Sequence, residues 1–169
     1  MVSADEYVLD PTRTRIGFIA AHRVGSRVHG HFTSFEGGVR PDRAWLTVQL
    51  DSLDTGNPRR DAQLRKDFFA TGTHPAMTFE STEVEQLSDT HYNLTGNLTL
   101  RGTTHPLTVP FTLSNSDGTL HATARTTLNR HTWHANWNTL TKALVHPDVL
   151  VDLTVTATRY SQAMPSRST

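Results

Sequence analysis

The chain has 169 residues, enough for one domain that buries about two thirds of the surface its unfolded chain exposes. Sixteen lysines and arginines balance sixteen aspartates and glutamates, so no net field draws nucleic acid. With no cysteine, the chain has no disulfide framework and no thiol chemistry.

The opening residues, MVSADEYVLD, carry neither a basic n-region nor an apolar h-region. No apolar run approaches membrane-spanning length. A cytoplasmic location without a membrane span is therefore expected. From there, period-two patterning dominates. Ile16, Phe18 and Ala20 share one parity, as do Ala44, Leu46, Val48 and Leu50. Tyr92, Leu94, Leu98 and Leu100 repeat the pattern, followed by Leu107 to Leu113 and by Leu120 to Leu128. Val149, Val151, Leu153, Val155 and Ala157 finish it. One apolar and one polar face per strand indicates antiparallel sheet. Asn115-Ser116-Asp117-Gly118 reads as a tight hairpin, and Arg101 to Pro106 as a second turn. Closure removes the two edges that an open sheet of this many strands would have to hide. The expected fold is all-β: a closed antiparallel barrel of one domain over residues 1–160, with 161–169 a polar, frayed tail.

The stretch from Ser52 to Thr82 interrupts the strands. Leu64 and Phe68 share one face of a short helix expected near residues 58–69, with Arg59, Arg60, Arg65 and Lys66 around it. The Arg60-Asp61 pair is expected to tie this helix to the barrel rim.

Ten histidines invite a search for metal sites. His29 and His31 share a strand face, but no acidic neighbour shares their parity, so no metal site is expected. No nucleophile elbow, phosphate loop or zinc motif occurs, and no cofactor is implied. The aromatic residues say more. Phe18, Phe32, Phe35, Phe79 and Phe111 fall on strands, Phe68 and Phe69 end the helix, and Trp133 and Trp137 lie in a late loop. A barrel of about eight strands either fills its interior or leaves room for one ligand. The small residues Ala20, Gly30, Gly96, Ala122 and Ala124 favour a cavity, since each removes bulk from an inward position.

The segment RRDAQLRKDFFATGTHPAMTFEST resembles the central signature of the YceI-like family. Tyr7-Val8-Leu9-Asp10, His29-Gly30-His31-Phe32 with Phe35-Glu36-Gly37, Gly96 to Gly102, and Asn129-Arg130 through Trp133 match further family motifs in order. The resemblance implies a lipocalin-like barrel, and some such proteins hold a long isoprenoid chain. Three features depart from the pattern: Gln63 stands where a histidine is common, only Lys66 separates Leu64-Arg65 from Asp67-Phe68-Phe69, one residue short of the usual spacing, and Thr132 and His134 replace an acidic residue and a glycine.

Together these readings predict a barrel, a monomer or a homodimer, that binds a long apolar molecule such as an isoprenoid or isoprenoid quinone. Phe18, Ala20, Phe32, Phe35, Phe68, Phe69, Phe79, Leu98, Phe111, Ala122, Ala124, Trp133 and Trp137 would line its ligand. Arg59, Arg60 and Arg65 would meet a head group. The alternative is a metal-free and cofactor-free cyclase that folds a polyene or polyketide-like substrate in the same cavity, with His131, His134 and Gln63 as its candidate catalytic groups. A filled barrel used as an interaction protein needs no ligand.

Overall fold

Alternating side chains become strands in the computed structural model, which describes residues 6–22, 25, 27–68, 72–134 and 145–159. The strands are β1 (Tyr7–Leu9), β2 (Arg15–His22), β3 (Arg27–Phe32), β4 (Phe35–Arg40), β5 (Arg43–Gln49), β6 (Leu53–Asp54), β7 (Ala76–Gln86), β8 (His91–Leu100), β9 (Thr103–Ser116), β10 (Thr119–Asn129) and β11 (Val145–Arg159). The first six, β1 to β6, are broken pieces of three longer wall strands. A corner at Asp10–Thr14 separates β1 from β2, a kink at Thr33–Ser34 separates β3 from β4, and a 3-10 turn, Leu50–Ser52, separates β5 from β6. Eight antiparallel wall strands result, and they close because β11 pairs with β10 on one side and with β1 and β2 on the other.

The register fixes the barrel's shape. Starting from Val8, one row of partners runs through Thr158 and Thr119 to Ser116 on β9. The same row runs the other way through Gly38, Trp45, Glu80 and Asn97 to Pro106, also on β9. The two arrivals differ by ten residues. A stagger of this size in eight strands tilts them strongly, by about 35–45° in barrels of this kind, and leaves an interior that one small ligand can occupy.

Local chemistry explains the corners. Arg101 and Gly102 have φ of 53° and 74°, and Asp117 and Gly118 have 53° and 78°. Both are two-residue loops with positive φ at each position, the geometry that matches strand twist. Since Arg101-Gly102 alone makes the turn, the chain is back in β9 by Thr103, and the expected wider turn through Pro106 contracts to two residues. At the β1–β2 corner the Asp10 carboxylate accepts from Thr12 and Arg13, which holds its pKa down at about 2. That contribution is full above the ordinary carboxylate range and fades as pH falls toward 2.

Two inward glycines do not create empty space. An added Cβ at Gly30 would meet the Phe18 ring at 2.4 Å, and one at Gly96 would meet Phe79 Cζ at 2.6 Å and the Glu80 carbonyl oxygen at 2.3 Å. Each glycine is the bed on which an aromatic ring lies. Their bulk is therefore replaced by Phe18 and Phe79, which corrects the expectation that Gly30 and Gly96 hollow the barrel. Gly96→Ala must push backbone as well as ring, so we expect a loss of about 1–3 kcal/mol in a denaturant melt. A wild-type midpoint would contradict this packing.

The buried core lies toward one end. Ile16, Phe32, Val48, Leu50, Leu53, Leu64, Leu98, Leu100 and Trp133 form one cluster, capped by α1 (Pro58–Gln63), by the π-type turn Leu64–Phe68 that continues it, and by a 3-10 turn, Arg130–Trp133.

Candidate functional site

The helix end is fastened by a hub at Thr55. Asn57 caps α1 by accepting from the Arg60 N–H at 3.1 Å, and Pro58 starts the helix with its φ already set. Buried Asp61 accepts from the N–H and the hydroxyl of Thr55. Arg60 donates to the hydroxyl and the carbonyl of the same threonine, each at 2.8 Å. Arg60 and Asp61 thus act through Thr55 rather than as a pair. Arg65 donates to the carbonyls of Asp51 and Leu53. We expect Asp61→Ala to strand the Thr55 N–H and to destabilise by about 1–3 kcal/mol, with Asp61→Asn recovering part of it. Equal melts for all three proteins would contradict a structural role.

The late turn is fastened from three sides. Trp133, 4 % exposed, donates its indole N–H to the Leu98 carbonyl at 2.9 Å. Its ring meets His105 edge-on at 5.9 Å. Buried Arg130 donates to the His146 carbonyl at the start of β11. Arg101 reaches across to the His134 carbonyl. His134 itself is exposed and left-handed, with φ of 57°.

The interior differs between its two walls. On the side of β3, β5, β6 and β8 the inward residues near the helix end are buried. Along β10, and along β11 as far as Val155, they are half-buried: Leu120, Ala122, Ala124, Thr126 and Leu128 on one strand, Val149, Val151, Leu153 and Val155 on the other, with Ala157 buried beyond them. Inward side chains of a filled barrel would be sealed. Their partial accessibility marks an apolar interior reached by solvent. At the end away from α1, inward Val39 and Val84 are 36 % and 53 % exposed, so that end is an open mouth. Among the inward positions from Leu120 to Leu128 and from Val149 to Val155, Thr126 is the one polar side chain and none is charged, while Arg159 stands on the same parity at the mouth.

The sequence-predicted lining residues divide accordingly. Phe32, Leu98 and Trp133 belong to the buried cluster, and Phe18, Phe35 and Phe79 pack against it half-buried. Phe18 and Phe32 lie 5.6 Å apart. Ala20, Ala122 and Ala124 are half-buried, and Phe111 stacks on Tyr92 at 5.2 Å. The side chain of Phe68, and all of Phe69 and Trp137, lie outside the described residues. Tyr92 is an interior aromatic that sequence reasoning did not select, although its parity with Leu94 and Leu98 was visible. Of the head-group candidates, Arg59 is exposed, while Arg60 and Arg65 are tied to the hub and the turn below it. Gln63 is exposed and His131 half-buried. Among the described residues no three His, Cys, Asp or Glu side chains are grouped to hold a metal, and no helix is long and apolar enough to cross a membrane.

The model of the YceI-like domain matches residues 7–157, from the first residue of β1 to all but the last two of β11. The chain belongs to the YceI-like family. Among curated relatives, a UPF0312 protein of Pseudomonas paraeruginosa is 38% identical over 102 residues, 56% of this chain and 53% of that protein. One from Shewanella oneidensis is 36% identical over 118 residues, 64% of this chain and 62% of that protein. The chain thus matches little more than half the length of its curated relatives. Among solved structures, Burkholderia cenocepacia BcnA superposes with a TM-score of 0.83 at 24% identity, over 89% of this chain and 99% of that one. A polyisoprenoid binding domain from Saccharophagus degradans superposes with a TM-score of 0.79 at 19% identity, over 90% and 98%. Both share the YceI-like barrel.

Proposed function

We propose that this barrel binds a long apolar chain, an isoprenoid or isoprenoid quinone, along its β10–β11 wall. The observation that carries the reading is the uninterrupted half-buried stripe from Leu120 to Leu128 and from Val149 to Val155, open to solvent at the mouth. The nine residues from Leu120 to Leu128 span about 27 Å along the strand, room for several isoprene units. Each buried CH₂ contributes about 0.8 kcal/mol before competition from membranes or micelles. The Saccharophagus degradans neighbour, a polyisoprenoid binding domain, supports the ligand class.

The chain, not the head, carries affinity on this reading. Arg60 and Arg65 already serve the protein's own backbone, and exposed Arg59 offers a solvated contact worth little. Binding therefore rises with chain length and changes little with salt. The test is a series of prenols of increasing length, titrated at low and high ionic strength and followed by tryptophan fluorescence. Among the described tryptophans Trp133 is the reporter, since Trp45 belongs to the outward parity of β5. Affinity flat across the series would overturn the reading. Conversion of a bound polyene to a cyclised product, lost in His134→Ala, would replace it with the cyclase alternative.

A further inference from the structure

The wall that bears the accessible stripe is also incompletely closed. β9 and β10 pair from Ser116–Thr119 down to Phe111–Ala124 and then stop. Both strands continue, β9 back to Thr103 and β10 on to Asn129, each paired only with its other neighbour, β8 or β11. Among the described residues no backbone ladder joins them below that rung.

The sequence explains the break. The Leu113 N–H points to the Thr90 carbonyl, on the β8 side of β9. Backbone direction alternates along a strand, so the even positions 106, 108 and 110 present their amides toward β10. Two of those three are Pro106 and Pro110, which have no N–H to give. β9 cannot extend the ladder to β10 there. The facing carbonyls and the few remaining N–H groups need water, since a dry unpaired edge is costly. At the last rung a 380 Å³ groove is lined from both faces of the wall, by outward Pro110, Arg125 and Asp152 and by inward Phe111 and Ala124 among others. On the inner surface, Leu107 and Leu128 flank the gap half-buried. Trp133 and His105 close it at the helix end.

We propose that this slot is a second opening through which the apolar chain crosses the barrel wall. The interior is then a channel from the mouth at Val39 and Val84 to the slot, and not a closed-ended pocket. The inference rests on the chain-binding reading and adds a consequence: chains longer than the interior keep their affinity, because the surplus leaves between β9 and β10.

The test exploits the absence of native cysteine. Thr108→Cys with Thr127→Cys places two outward thiols across the slot, in the register that β9 and β10 would share if the ladder continued. A short bis-thiol reagent bridges them, and a bulky thiol label on the single variant Pro110→Cys serves as a second, independent block. Prenols shorter and longer than the interior are titrated before and after modification. The expected result is unchanged affinity for short chains and a loss of about tenfold or more for long ones, equivalent to losing two buried CH₂ groups. Equal affinity of blocked and unblocked protein at every length overturns the slot while leaving the binding reading intact. Failure of the unmodified protein to bind any prenol overturns both.

Discussion

Trp133→Ala should lower the unfolding free energy by about 3–5 kcal/mol in denaturant titrations. The indole is nearly sealed, belongs to the buried cluster, and satisfies the Leu98 carbonyl. Deleting it leaves a cavity and removes a hydrogen bond to the Leu98 carbonyl, which still sits opposite His105 in the β8–β9 ladder. Trp133→Phe separates the two effects: it keeps most of the packing and loses the hydrogen bond, for about 0.5–1.5 kcal/mol. The order wild type, Phe, Ala is the expected one. A Trp133→Ala protein as stable as wild type would mean that the late turn is not part of the core.

Ala124→Phe should cost little stability and much long-chain binding. Its cross-strand neighbours on the inner face are Phe111 and Leu153, at the level where the slot begins. In a filled barrel the added ring would be overpacking, at about 1–3 kcal/mol. In a hollow one it enters space that solvent already reaches. Loss of two CH₂ contacts would weaken long prenols by about tenfold at ~0.8 kcal/mol each, with short ones spared. A large drop in melting with no change in binding would instead describe a filled barrel.

Most of the wall was legible because period-two alternation says the same thing at every rung. Once Leu120, Ala122, Ala124 and Leu128 share a parity, a one-residue slip of register would turn them all outward. The interior was less legible, because parity gives direction and not depth. Gly30 and Gly96 show this well: each is small and inward, yet Phe18 and Phe79 cover them. Which phenylalanine covers which glycine depends on cross-strand pairing, which sequence alone does not display. Arg60 and Asp61 looked like partners because they are adjacent, while adjacent helical residues point to different sides. Thr55, which joins them, precedes the helix and carries no motif of its own. Pro106 and Pro110 were a readable signal of a different kind. Proline inside a strand pattern marks a missing ladder, and here it marks the edge along which β9 leaves β10.

The central claim is that an apolar chain lies inside this barrel against β10 and β11. The most direct measurement is photo-crosslinking with a prenol carrying a diazirine along its chain, followed by peptide mapping at residue resolution. The account predicts label with a period of two, on Leu120, Ala122, Ala124 and Leu128 and on Val151, Leu153 and Val155. Label on the outward set Thr123, Arg125, Asp152 and Thr154, or spread without period, would contradict it.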